Sequence, residues 1–520
     1  MDIQIYDTTL RDGTQREGIS LSCDDKLAIA RKLDDLGVAF IEGGWPGSNP
    51  KDAEFFSRAR SLSWRHATLT SFGSTCRVGV RPPADQNIKA LLESGTSVCA
   101  LVGKTSIFHV TEVLRTTPEE NLRLIEQSAA YLVQQGRRVF FDAEHFFDGY
   151  TLDRTYALET LRAAERGGAE ILVLCDTNGG NLPWRVAEVV RDVRSQLKSR
   201  LGIHAHNDTE CAVANSLAAV REGCVQVQGT MNGYGERCGN ANLVSVIANL
   251  ALKLNTSCLP DGKLECLTET AHYVAEIANL SPDAHMAYVG KSAFAHKGGI
   301  HVSAMRRTSS SYQHIDPSLV GNAMRIVVSE LSGRANLQSK SEEFGVAMED
   351  SGQLGEVLDQ IKVLESQGFS FEAAEASVAM MMKRRRGDYV PPFELIDLAV
   401  NVEHRSGRGI FAEATVKLKV NGEVIHTAAE GNGPVNALDA AVRKALTPAY
   451  PHLASFQLAD YKVRILDGSR GTAATTRVLI ETRNGTRRWS TVGASPNIIE
   501  ASWRALADSI EYGLTSPSYS

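Results

Sequence analysis

Over the first 250 residues, short apolar runs alternate with longer amphipathic stretches. The short runs are Ile3–Tyr6, Ala39–Glu42, Thr68–Ser71, Val98–Val102, Val139–Asp142, Ile171–Cys175, Gly202–His204 and Val225–Gln228. Their length and composition predict strands. The stretches between them, such as Cys23–Leu36, Glu119–Gln135, Leu152–Gly167 and Leu182–Leu197, space their apolar residues as helices do. Strands alternating with helices predict parallel βαβ units, and eight of them in about 250 residues fit a TIM barrel. An open, doubly wound α/β sheet is the alternative reading of the same alternation.

The pattern then changes. From 268 to 390, helical segments (Thr268–Ala278, Gln353–Ser366, Phe371–Arg385) surround a polar stretch, Arg306–Gln313, and the barrel-like alternation stops. The basic run Lys383–Arg386 reads as a solvated helix end favoured by the macrodipole, with a phosphate-binding patch as the alternative. After Pro392, Leu395–Val402, Ile410–Val420 and Glu423–Glu430 read as strands, with Asn421-Gly422 as a hairpin turn. The helix Pro434–Leu446 follows. Phe456–Ile465, Thr475–Thr482, Arg487–Val492 and the helix Pro496–Gly513 repeat this order, which makes a duplicated βββα unit. Three parts are expected: a barrel over 1–267, a mostly helical linker over 268–390, and a C-terminal α+β domain over 391–520.

Composition narrows the function. The 520 residues include 55 Lys and Arg against 61 Asp and Glu, a net charge of −6, which argues against nucleic acid as a partner. No apolar run reaches the ~18 residues of a membrane span, and the first residues lack the basic start of a signal peptide. All nine cysteines fall in the first 266 residues at irregular spacing without a CxxC, as expected of free thiols in a reducing cytoplasm.

Catalytic groups of a barrel gather at the C-terminal ends of its strands. Those ends carry Arg11 and Asp12, Glu42, Asp142 and Glu144, Asp176-Thr177-Asn178, His204 to Asp208, and Thr230 with Asn232. His204 and His206, two apart on a strand, point to one side, as two facial metal ligands must. Asp12 can reach the same point from the first strand. Such a mixed oxygen and nitrogen set suits Mg²⁺, Mn²⁺ or Zn²⁺. Arg11 would put a permanent cation where an oxyanion develops, and Glu144 is a candidate acid–base group. The glycine-rich stretch Gly233–Asn240 could let a ligand approach the backbone. His296, Lys297 and His301 form a polar cluster outside the barrel.

Four segments together carry a resemblance: Asp7-Thr-Thr-Leu-Arg-Asp-Gly-Thr-Gln15, His204-Ala-His-Asn-Asp208, Gly235-Glu-Arg-Cys-Gly-Asn-Ala-Asn242 and Gly298-Gly-Ile-His301. In this order they resemble the acyl-CoA-condensing synthases that make 2-isopropylmalate, homocitrate and citramalate, metal-dependent barrel enzymes. Within that family, Ile41–Pro50, Phe141–His145 and Phe294–His301 are most similar to the long-form citramalate synthases. The resemblance implies a divalent metal on Asp12, His204, His206 and, more weakly, Asn240. It implies that Arg11, Gln15 and Thr177 bind the 2-oxo acid, and that Glu144 is an active-site carboxylate. His301 and Tyr312 match linker residues that reach a neighbouring subunit's active site, which implies a homodimer.

The reaction so implied is condensation of acetyl-CoA with pyruvate to (R)-citramalate for isoleucine biosynthesis. An end-product amino acid, isoleucine, would then act at the C-terminal domain. The rival acceptor is 2-oxoisovalerate, giving 2-isopropylmalate; a metal-dependent carbon–carbon lyase and a non-catalytic sensor are the other classes. Two positions depart from the family pattern: Thr14, where most members have Glu, and Asp142, where some carry an aromatic residue.

Overall fold

The computed structural model describes residues 2–516 except 349, 350, 408 and 486; the last four residues of the expected C-terminal part lie outside it. The chain divides into two compact units. One comprises the residues up to Phe294 together with Ile315–Ala323; the other comprises Ala295–His314 and the residues from Met324 onward.

In the first unit, eight parallel strands close a barrel in sequence order: β1 (Gln4–Asp7), β2 (Phe40–Gly44), β3 (Thr68–Ser74), β4 (Val98–Lys104), β5 (Arg138–Glu144), β6 (Ile171–Asp176), β7 (Arg200–Ala205) and β8 (Gln226–Gly229). β8 returns to β1, with Tyr6 opposite Gln228. The open-sheet alternative is thereby excluded. Helices α1 (Cys23–Leu36), α2 (Pro50–Ala59), α3 (Gln86–Glu93), α4 (Pro118–Gln134), α5 (Phe146–Leu152), α6 (Arg154–Arg166), α7 (Pro183–Gln196), α8 (Ala212–Arg221), α9 (Leu243–Lys253) and α10 (Leu267–Ile277) surround it.

The helix starts are written locally. Ser22 accepts the Asp25 amide and Asp25 returns a bond to Ser22, a capping box for α1; Thr117 and Asp153 cap α4 and α6 in the same sense. Near the end of α1, the buried Asp34 carboxylate accepts the amides of Arg65 (2.9 Å), His66 (2.9 Å) and Ala67 (2.7 Å), which fixes the entry into β3.

Period-two alternation sorts the strand residues. One set, including Ile5, Ile41, Leu101, Phe141, Leu172 and Ile203, packs outward against the helices. The inward set includes Tyr6, Phe40, Phe72, Val98, Ala100, Phe140 and Val173. Phe40 and Phe140 meet edge to face at 5.0 Å and fill the middle of the barrel. Polar inward residues then follow toward the C-terminal end, where the site lies.

In the second unit, β9 (Ala295–His296) pairs with β10 (Arg325–Ile326), and helices α11 (Gly299–Arg307), α12 (Arg334–Phe344), α13 (Ser351–Ser366) and α14 (Glu375–Arg384) form the helical part. Two antiparallel sheets follow: β11 (Glu394–Arg405), β12 (Gly409–Val420) and β13 (Glu423–Gly431), then β14 (Gln457–Ile465), β15 (Thr476–Asn484) and β16 (Arg487–Ser495). Each is followed by its helix, α15 (Pro434–Leu446) or α16 (Ile498–Leu514). The duplication extends to irregularities, because the register slips at the same early point of both first strands, between Leu395 and Asp397 and between Leu458 and Asp460. Asn421 and Gly422 both have positive φ, as the two-residue hairpin requires.

The basic run is not simply solvated. Lys383 donates to Thr515 O at 3.0 Å, Arg384 pairs with Asp508 (2.8 Å) and Glu511, and Arg385 pairs with Glu356 at 2.9 Å. No disulfide joins the nine cysteines, and among the described residues no helix is long and apolar enough to cross a membrane.

Asp34→Ala leaves three amides without their acceptor. We expect a loss of about 3 kcal/mol in urea unfolding, at 1–3 kcal/mol per stranded buried donor with partial rehydration. Asp34→Asn, which keeps one oxygen, should lose less than half as much.

Candidate functional site

The turn after β1 is built by its own side chains. Asp7 accepts the Thr9 amide and hydroxyl, both at 2.9 Å, and Thr9 Oγ1 accepts the Met231 amide at 2.9 Å, tying the first strand's loop to the last one's. Burial pushes Asp7 up to about 7. The Thr14 hydroxyl donates to Arg11 O at 2.7 Å, so the threonine at this departure from the family pattern closes the turn.

That turn delivers Arg11 and Asp12 onto the barrel mouth. Glu42, fully buried on β2, accepts from Tyr6 (2.5 Å), Thr8 (2.6 Å) and Arg11 Nε (2.5 Å). The Arg11 guanidinium carbon lies over Phe72, 3.9 Å from its ring centroid, and a second nitrogen reaches Asp12 Oδ2 at 3.5 Å. Removal of Glu42 would leave the half-buried Arg11 guanidinium only its longer contact to Asp12, and would strand a hydroxyl and a phenol.

Asp12 Oδ2 lies 3.4 Å from His204 Nε2 and 3.8 Å from His206 Nε2, and the two imidazole nitrogens are 3.2 Å apart. All three residues are buried, and they form a group with metal-ligand spacing. Asp12 Oδ1, His206 Nδ1 and Asn240 Oδ1 are buried with no hydrogen-bond partner among the described residues. Burial alone would raise the Asp12 carboxyl, but Arg11 and His204 outweigh it and hold it well below the usual range. Burial disfavours charge on His204 too, yet Asp12 outweighs that and raises it. Burial, then the charge of His204, lowers His206 to about 4. An ionised carboxylate, crowded imidazole nitrogens and unpaired buried acceptors are what a divalent cation satisfies. The donor set fits the metal the sequence implied.

Asn240 comes to the site through the glycine-rich loop, which pairs with the end of β7: Asn240 forms a bridge with His206, and Ala241 donates to Ala205 O at 2.8 Å. Two glycines make this possible. Gly235 (φ 149°) and Gly239 (φ 89°) occupy left-handed backbone, and a Cβ there would sit 2.2 Å from Asn240 Nδ2 or 2.0 Å from Gly233 O.

A cavity of about 500 Å³ opens over these groups. Arg11, Asp12, Gln15, Glu144, Thr177, His204 and His206 line it, with Trp45, Phe72 and Val102 as its apolar wall. Glu144 is ion-paired with Lys104 on the adjacent strand. Thr177 Oγ1 accepts the His145 amide at 2.8 Å. Seven of the ten residues to which the resemblance gives a role therefore face one cavity, and Asn240 adjoins it through His206. His301 and Tyr312 belong to the second unit, where their rings stack with centroids 4.2 Å apart. In the same unit, Lys297 pairs with Glu372, and His296 Nε2 is buried without a partner among the described residues.

Sequence reasoning named Glu42 and Asp142 without giving them roles and passed over Lys104 and Gln228. The signal was present: each is a polar residue in the inward phase of its strand. Burial first, and the Glu42 charge second, push Asp142 up to about 7.

Glu42→Ala should cost about 3–5 kcal/mol in chemical unfolding, because a buried ion pair loses one partner. Glu42→Gln, which retains an acceptor for Tyr6 and Thr8, should cost less.

A family described as HMGL-like matches residues 2–274, one described as homocitrate synthase post-HMGL domain-like matches 288–368, and the LeuA allosteric (dimerisation) domain matches 372–514. An (R)-citramalate synthase of Geobacter sulfurreducens is 52% identical over 514 residues, covering 98% of this chain and 97% of that protein. Another, of Synechocystis sp., is 53% identical over 525 residues, with 98% and 96% covered. A 2-isopropylmalate synthase of Methanocaldococcus jannaschii is 30% identical over 515 residues, with 98% and 94% covered. With a barrel and a C-terminal domain of these two types and half its residues shared along nearly its whole length, the chain belongs to the (R)-citramalate synthase family.

Proposed function

We propose that this chain is an acyltransferase that condenses acetyl-CoA with pyruvate and water to give (R)-citramalate and CoA, in the cytoplasm and for isoleucine biosynthesis. The observation that carries the reading is the buried group of Asp12, His204 and His206 beside Arg11 in one cavity. The greater identity to (R)-citramalate synthases than to the 2-isopropylmalate synthase favours pyruvate over 2-oxoisovalerate.

Asp12, His204, His206 and Asn240 would hold a divalent cation, Mg²⁺, Mn²⁺ or Zn²⁺. When bound it supplies Lewis acidity toward a carbonyl. Arg11, Gln15 and Thr177 bind the 2-oxo acid. Arg11 is held charged by Glu42 and faces the oxygen on which negative charge builds when the new carbon–carbon bond forms. His301, supplied with Tyr312 by the other subunit of a homodimer, removes a proton from the acetyl methyl group. The resulting enolate carbon attacks the ketone carbon of pyruvate, and the alkoxide formed there takes up a proton. Glu144, ion-paired with Lys104, positions the water that hydrolyses the thioester and releases CoA as its thiol. Glu144 is also the competing candidate for the base. The match to an allosteric, dimerising domain supports a homodimer with an effector bound there, and isoleucine, the end product of the proposed pathway, is the effector we propose.

Free-thiol release from acetyl-CoA by the metal-loaded enzyme tests this reading. Pyruvate should exceed 2-oxoisovalerate in kcat/KM by about tenfold or more; the reverse order makes the enzyme a 2-isopropylmalate synthase. Chelator dialysis should abolish turnover and added Mn²⁺ restore it, while Asp12→Asn should stay inactive with Mn²⁺ present. His301→Ala should reduce kcat by about 10²–10⁴, and a larger loss in Glu144→Gln would transfer the role of base to Glu144.

Isoleucine should lower the rate of the full-length enzyme more than leucine does, in the same assay. Indifference to both would remove the regulatory part of the proposal.

A further inference from the structure

The barrel interior contains a hydrogen-bonded row that the proposed reaction does not use. Gln228, fully buried on β8, reaches in two directions: its Oε1 lies 3.0 Å from His204 Nδ1, and its Nε2 donates to Asp142 Oδ1 at 3.0 Å. Asp142 is on β5, 86 residues away in sequence, and is itself buried. A polar residue inside a barrel does not find partners automatically. Gln226, two residues earlier on the same strand and equally buried, has neither amide atom bonded among the described residues.

The direction of the row has a chemical consequence. An amide oxygen only accepts, so a neutral His204 must carry its proton on Nδ1, and the Nε2 lone pair then faces Asp12 and His206. An amide can also turn over, and what prevents this is Asp142. The Asp142 oxygen that faces the amide accepts from its NH₂ end, and once the carboxylate is ionised, above about pH 7, it can only accept, so it holds that end of Gln228 toward itself. Turned over, Gln228 would present N–H to His204 Nδ1, and the imidazole proton would have to move to Nε2. Asp12, 3.4 Å from Nε2, pulls the proton in that unwanted direction. The two carboxylates compete for the tautomer from opposite sides of one ring.

We propose that Asp142 and Gln228 are positioning residues that fix which ring nitrogen of His204 carries its proton, and thereby keep Nε2 open for a metal ion. The inference rests on the metal site of the proposed function, and it gives a role to Asp142, the position that departs from the family pattern. It requires Asp142 to act on a ligand that it does not touch, through one amide.

The test uses full-length protein and Mn²⁺ as the probe. In ¹⁵N-histidine-labelled, metal-free protein at alkaline pH, where imidazoles are neutral, wild-type His204 should show the Nδ1–H tautomer, assigned by its loss in His204→Gln. Gln228→Met should move the proton to Nε2 and weaken Mn²⁺ binding by about 10–100-fold, the range for lost partners of metal-ligating histidines. Asp142→Asn is nearly isosteric and does not contact His204, but it frees the amide to turn; it should shift the tautomer the same way and weaken binding to a smaller extent. A folded Asp142→Asn protein that keeps both the Nδ1–H tautomer and wild-type Mn²⁺ affinity overturns the inference, even if Gln228→Met does not fold. Wild-type protein that binds no Mn²⁺ overturns the metal site itself, a failure distinct from unchanged variants of a protein that binds it.

Discussion

Glu42 decides what the rest of the site can do. A guanidinium brought to the mouth of a barrel next to an aspartate will pair with that aspartate unless something stronger holds it. Glu42, reached by Tyr6, Thr8 and Arg11 at 2.5–2.6 Å, is that stronger partner, and Arg11 keeps only a longer contact of 3.5 Å to Asp12 Oδ2. It keeps Arg11 pressed against Phe72 and leaves Asp12 an oxygen with no protein partner. Burying this pair is expensive, and the cost is offset only because the carboxylate is saturated with donors. β1 and β2 are joined by the same contact, so the charge that prepares the site also ties two barrel strands.

The interior is graded along its axis. Aromatic rings and small apolar residues fill the middle, a belt of Tyr6, Glu42, Asp142, His204 and Gln228 lies above them, and the cavity-facing groups come last. Each layer uses the same inward phase of the strands, two residues further on. The apolar plug excludes water from below, which is why burial so strongly perturbs the acids above it. Asp142 rises to about 7, whereas Asp12, facing Arg11 and two imidazoles, moves the opposite way.

Much of this was legible in the sequence. Eight apolar runs separated by amphipathic helices gave the barrel, and the strand-end residues gave Arg11, Asp12, His204 and His206, because alternation is a local property. The Asn421-Gly422 hairpin turn was equally local, and the duplicated C-terminal unit was visible in the repeated order of three strands and a helix. What stayed hidden depended on closure. No pattern links Gln228 to Asp142, since only a closed barrel brings β8 opposite β5 across its interior. The ion pairs of Arg384 are hidden for a similar reason: Asp508 and Glu511 lie on α16, more than a hundred residues onward.

The return of Ile315–Ala323 to the barrel unit has a consequence for synthesis. Val320 is buried in the barrel unit's core, its carbonyl accepts from Thr268 at 2.6 Å, and Asn322 donates to the carbonyls of Tyr288 and Gly290. A chain emerging from the ribosome must therefore make the excursion of Ala295–His314, which belongs to the other unit, before the first unit has all of its parts. The two units are interleaved in time as well as in sequence, and no single cut of the chain yields both intact.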